Sequence, residues 1–161
     1  MKKLSLLFLA ALALGSCKKN DDNSPSSASK TDLLTAKSWR ISAQTYSVAV
    51  NSGTPTVSDE YASSPACERD NFLKFNTNKS LTADEGATKC SPSDPQTQSG
   101  SWDLTTNDTK LTLADPSQGG IPIPFDIVDL SATTLHLRYA ATVSLGGVST
   151  TSVNDITFTA F

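Results

Sequence analysis

The residues with which this chain could do chemistry are few: Cys17, Cys67, Cys90, a single His136, and the acids Glu68, Asp70, Asp84 and Glu85. A pair of carboxylates flanking a glycosidic bond is the apparatus of a glycoside hydrolase, and these four acids lie close to Cys67 and Cys90 in the chain. Nothing in their spacing sets any two at a working separation. Nucleophilic catalysis needs a base beside its nucleophile. His136 sits in "TLHLR", on the polar side of an alternating run, which predicts a solvated surface side chain. Two cysteines and one histidine do not make a zinc set, and the spaced Asp/Asn loop with Gly and a closing Glu that holds calcium is absent. With no nucleophile–base set visible, the residues predict a non-enzymatic protein with no metal and no cofactor.

Cys17 has a different setting. Lys2 and Lys3 precede an apolar run, Leu4 to Leu14, broken only by Ser5. At about eleven residues it is too short for a membrane-crossing helix, which needs ~20; a charged start, a short apolar middle and small residues after it describe a secretory signal peptide. The run ends in Leu14-Gly15-Ser16-Cys17, which resembles the bacterial lipobox. That resemblance implies a diacylglycerol on the Cys17 sulfur, cleavage before Cys17, and acylation of the new amino group. Two or three acyl chains make a stable anchor where one does not.

The domain plan that follows is a lipoprotein signal peptide over 1–16, a lipidated Cys17 with a flexible tether over 17–30, and one folded domain over 31–161. "KKNDDNSPSSASK" holds nothing that could bury a core, and as a coil it would span ~20 Å. Loss of Lys2 and Lys3 with the leader leaves 11 basic against 16 acidic residues, a formal charge of −5. That balance argues against nucleic acid as a partner and against electrostatic docking on anionic lipid. The expected location is the bacterial cell envelope, as an outer-membrane lipoprotein on the periplasmic face or at the cell surface. Lys19 before Asp21-Asp22, interrupted by Asn20, is similar to the charged signal that sends some such lipoproteins outward.

In an exported chain disulfides persist. With Cys17 taken by lipid, Cys67 and Cys90 form an even pair, and a Cys67–Cys90 bridge is predicted. It would close a loop of 24 residues and restrict the unfolded chain by roughly 3 kcal/mol.

These groups must be positioned by about 130 residues, one domain's worth. "KTDLLTAKSW" predicts a short helix capped by Ser29 or Thr31. Beyond it, alternation dominates. Trp39, Ile41 and Ala43 share one face, with Thr45 and Ser47 following as polar gaps; Trp102 and Leu104, Leu111 and Leu113 continue the pattern. Ile121, Ile123, Phe125 and Ile127 do likewise, as do Leu135, Leu137, Tyr139, Ala141 and Val143, and Ile156, Phe158 and Ala160. Such alternation predicts strands with one buried face. "NTNKS", "TNDTK" and "LGGVS" are of hairpin-turn length and type. Pro122 and Pro124 cannot donate to a ladder and predict an edge or loop start for their strand. An antiparallel meander of this length buries its apolar face and removes its edges by closing into a barrel.

The folded domain resembles the lipocalin-like domains of small bacterial lipoproteins. The resemblance is carried by "LLTAKSW" with Trp39 at its end, by "CERDNFLKFNTNKSLTADEGATKC", by "GSWDLTTNDTKLTL" and by "IVDLSATTLHLR". It departs from secreted lipocalins in having Lys37 and Ser38 where a Gly-x-Trp would stand. It implies an all-β, antiparallel up-and-down barrel of about eight strands with a short N-terminal helix. Such a barrel is either filled by side chains or holds one small ligand. If hollow, Trp39, Trp102, Phe125, Leu137, Tyr139 and Phe158 are the residues expected to face a small hydrophobic ligand; if filled, they are the core. Two functions stay open on these grounds: a binder of a small hydrophobic molecule, and a structural or interaction module serving another envelope protein, with "GGIPIPF" as a sticky rim.

Overall fold

The computed structural model describes residues 28–115 and 119–161. The leader, Cys17 and most of the tether lie outside the described residues.

A short helix, α1 (Lys30–Thr35), opens the domain. Ser29 caps it: its hydroxyl accepts from the Asp32 amide, and the Asp32 carboxylate accepts from the Ser29 amide, so two otherwise orphaned donors are satisfied reciprocally. Ser29 and Lys30 therefore belong to the helix rather than to a tether.

Among the described residues nine strands follow: β1 (Ser38–Val50), β2 (Thr56–Asp59), β3 (Phe72–Phe75), β4 (Ser80–Asp84), β5 (Thr97–Thr105), β6 (Lys110–Ala114), β7 (Ile123–Leu130), β8 (Thr134–Leu145) and β9 (Val148–Ala160). Two single-turn helices, α2 (Glu60–Ser63) and α3 (Ala66–Arg69), lie between β2 and β3. From β3 to β9 each strand pairs antiparallel with the next, and β1 pairs with both β9 and β3. The result is a closed antiparallel barrel of eight strands, with β2 a spur on β1. The β3 contact is brief, Ser38–Arg40 against Phe72–Lys74. Where β3 ends, β2 takes over the same edge of β1, at Thr45–Val48.

Two bulges bend the barrel and reset its alternation. In β1 the register against β9 shifts between Ile41 and Ala43. Ser42 is the extra residue; its hydroxyl donates to the Thr157 carbonyl and accepts from Thr159. The odd–even expectation fails from there. Ala43 is exposed rather than inward, Gln44 faces the interior, and Thr45 and Ser47 lie on the outer face. A second shift between Ile127 and Asp129 leaves Val128 exposed and turns Leu130 onto the core. Pro122 precedes β7, and Pro124 lies where β7 pairs only with β6, so neither breaks a ladder on both sides.

The packed core is Leu34, Trp39, Phe75, Leu81, Trp102, Leu111, Leu113, Leu135, Leu137 and Phe158. It fills the end of the barrel that α1 plugs. Both tryptophans tie backbone to this end. The Trp39 indole N–H donates to the Leu34 carbonyl at 2.9 Å, one of the carbonyls a helix C-terminus leaves without an intrahelical partner. The Trp102 indole N–H donates to the Asn76 carbonyl at 3.1 Å, holding the β3–β4 turn, while the Lys79 ammonium lies 4.0 Å from its ring centroid. Trp39→Phe keeps most of the apolar surface but orphans a buried carbonyl. It is expected to cost about 1–3 kcal/mol, measured as a shift in the urea midpoint at unchanged slope.

Candidate ligand cavity

Inward side chains become smaller or polar toward the end away from α1, and the barrel there is hollow. On β1 the inward series runs Trp39, Ile41, Gln44; on β9, Phe158, Ile156, Asn154; on β4, Leu81, Ala83; on β5, Trp102, Gly100, Gln98. The first members are packed or nearly so, and the later ones leave a cavity of about 670 Å³, open to solvent. That volume is on the scale of small-molecule pockets, roughly 300–1,000 Å³.

Its lower wall is apolar and aromatic: Trp39, Ile41, Leu113, Ile123, Phe125, Ile156 and Phe158. Tyr139 stands above Phe125, their ring centroids 5.9 Å apart and tilted by 59°. A polar step lies higher on the wall, where the Gln44 amide donates to Asn154 Oδ1 at 3.2 Å. Of the aromatic and aliphatic residues the sequence marks for a ligand, Trp39, Phe125, Tyr139 and Phe158 line this space. Trp102 and Leu137 do not; they are packed in the core beneath it. Gln44 and Asn154 are polar wall residues; Asn154 keeps the parity of Ile156 and Phe158, whereas alternation places Gln44 on the wrong face. The bulge at Ser42 hides Gln44, and no glycine or other local signal marks that bulge.

The β4–β5 loop forms one side of the mouth, with Glu68 of α3 and, beyond β6, Asp115 and Ile121 also on the lining. Cys67 on α3 and Cys90 in this loop form a disulfide, Cα atoms 5.2 Å apart. Asp70 fastens the same loop a second way. Its carboxylate accepts from the Ala87 amide at 2.9 Å, the Thr88 amide at 2.8 Å and the Thr88 hydroxyl. Gly86 has φ +68° and approaches so closely that a Cβ there would lie 2.4 Å from the Asp70 carbonyl oxygen, leaving room for glycine alone. Desolvation pushes the Asp70 carboxyl up, but the Thr88 and Ala87 hydrogen bonds outweigh it and hold it below the usual carboxylate range. Glu68, Asp84 and Glu85 line the cavity; Asp70 is engaged in the latch.

His136 lies on the outer wall, part-buried rather than fully solvated. Its Nε2 is 3.0 Å from Asp155 Oδ1, and Arg138 donates to both oxygens of the same carboxylate. Burial raises the Asp155 pKa, while the Arg138 and His136 hydrogen bonds and charges lower it by more, so it too sits below the ordinary range.

With the geometry set out, comparison with known proteins is informative. Residues 35–137 match the family described as the lipocalin-like domain. The chain belongs to the lipocalin-like domain family. A crystal structure of a lipocalin-like protein from Bacteroides uniformis is similar at 17% identity, covering 80% of this chain and 99% of that one, with a TM-score of 0.42. No curated protein matches. The lipocalin-like assignment agrees with the closed barrel; within it, the hollow end and the latched mouth are features of this chain's own residues.

Asp70 and Asp155 have folded-state values below their unfolded ones. Their contribution is therefore fully present above the unfolded aspartate value of about 3.9 and is lost as pH falls through the lower folded values. Melting temperature is expected to be flat above pH ~5 and to fall steadily from there toward pH ~2. The double variant Asp70→Asn, Asp155→Asn should melt lower at neutral pH and show a shallower acid decline.

Proposed function

We propose that this lipocalin-like protein is a lipid-anchored, non-enzymatic binding protein of the bacterial cell envelope that takes a small, largely apolar molecule into its barrel. The observation that carries the reading is the cavity of about 670 Å³ above a packed floor. A barrel of eight strands has room either for side chains or for one small ligand. Here the inward positions switch from Trp, Leu and Phe to Ala, Gly, Gln and Asn while the strands continue. Among the described residues the lining has no histidine, serine or threonine, and its one cysteine is in the disulfide; this supports binding over catalysis. The anchor rests on the leader and on Cys17, which lie outside the described residues.

An interaction module is favoured by a different observation. The far ends of β1, β8 and β9 run on past the core and expose Val50, Val143, Leu145 and Val148, Leu145 to 83%. Contiguous exposed apolar side chains of this kind mark contact surfaces.

The neutral fluorophore N-phenyl-1-naphthylamine is expected to bind one per chain with a blue-shifted emission. Ala83→Phe, which places a ring inside the hollow end, should weaken that binding by about tenfold or more, the loss of ~1.4 kcal/mol, with the far-ultraviolet circular dichroism unchanged. A native chain that takes up no fluorophore sinks the binding reading. Separately, Cys17→Ser should abolish acylation by mass spectrometry and move the protein from the membrane pellet to the soluble fraction.

A further inference from the structure

The cavity has a charge of one sign. Glu68, Asp84, Glu85, Asp94 and Asp115 lie on its lining, and among the described residues no lysine, arginine or histidine does. Among the described residues, none of Glu68, Asp84, Glu85 and Asp94 is in an ion pair. The cations next along the chain are committed to main-chain oxygens instead. Arg69 donates to the Ser64 and Ala62 carbonyls and stacks over Tyr61, and Lys89 donates to the Pro92 and Asp94 carbonyls. Hydrogen bonds to neutral carbonyls leave these two cations their charge, and the four carboxylates Glu68, Asp84, Glu85 and Asp94 still outnumber them at the rim.

We propose that the cavity selects an organic cation with an apolar body, such as an alkylammonium, its charged head at the acidic rim and its chain among Ile123, Phe125, Ile156 and Phe158. This rests on the small-molecule reading above and adds the sign of the charge. A cleft with walls of low polarisability concentrates the field of like charges at its mouth, raising the local concentration of the opposite ion. A fatty acid entering the same mouth would bring its carboxylate against at least four others. The acids are distributed along the rim: among the described residues no three His, Cys, Asp or Glu side chains converge as a metal ion requires. A diffuse, weakly hydrated ammonium suits that arrangement; a bare divalent ion does not.

The test titrates the purified chain, below micellar concentration, with dodecyltrimethylammonium, dodecanoate and neutral dodecanol, read by calorimetry and tryptophan fluorescence. The ammonium is expected to bind at least about tenfold more tightly than dodecanoate at low salt, with the ratio shrinking as salt shortens the screening length. The rim variant Glu68→Gln, Glu85→Gln, Asp94→Asn should bring that ratio close to one while still binding N-phenyl-1-naphthylamine, which shows the barrel intact. An equal change of net charge on the outer wall and the far turn, Asp103→Asn, Asp108→Asn, Asp129→Asn, should leave the ratio as it was. Equal binding of ammonium and carboxylate by the native chain, or a ratio that survives the rim variant, overturns charge selection and leaves the apolar cavity standing. Failure of all three amphiphiles and of the neutral fluorophore overturns both.

Discussion

Closure of the ring at Trp39 is the contact on which the rest depends. β1 meets β3 over only three residue pairs, so backbone hydrogen bonds alone hold that seam weakly. Trp39 lies in the middle of it, fully buried opposite Leu73, and its indole N–H reaches back to the carbonyl of Leu34. One side chain thereby fills the floor, seals the seam and fastens α1 as a plug. Trp102 repeats the device across the floor, with its N–H on the Asn76 carbonyl and its ring edge-on to Phe75 at 5.5 Å. Buried indoles must satisfy their N–H as well as their surface, and both do so on main-chain carbonyls, one of α1 and one of the β3–β4 turn.

A hollow upper end follows from that solid lower one. The large inward side chains are concentrated at the plugged end, and the strands that carry them continue upward with Ala83, Gly100, Gln98, Gln44 and Asn154. The cavity needs no special architecture; it is the space left when a barrel of fixed circumference runs out of bulky residues. Its floor is the core itself, and the part of its rim formed by the β4–β5 loop is held at two points.

Much of this is legible from residue order. Alternation marks β5, β6, β8 and β9, and "NFLKFNTNKSLTADE" marks the β3–β4 hairpin. The pairing of Cys67 with Cys90 is the one that parity predicts once Cys17 is set aside. Legibility stops at three kinds of place. Bulges at Ser42 and Val128 shift the phase without any glycine to announce them, so Thr45 and Ser47 point outward although the pattern sends them in. β2, α2 and α3 bury almost nothing, so no hydrophobic period betrays them. And periodicity cannot separate a packed wall from a lining one. Leu137 and Tyr139 have the same parity on one strand, yet only the second borders open space, because that difference depends on what faces it across the barrel.

The doubled fastening of the β4–β5 loop has a consequence for how the protein matures. Asp70 with Ala87 and Thr88, and Gly86 lodged against the Asp70 backbone, already bring Cys90 beside Cys67 without any covalent link. With Cys67 and Cys90 the two cysteines of residues 31–161, no choice of partner arises as the chain matures; amide-to-carboxylate hydrogen bonds at Asp70 and the bridge at Cys67 hold one loop at points three residues apart.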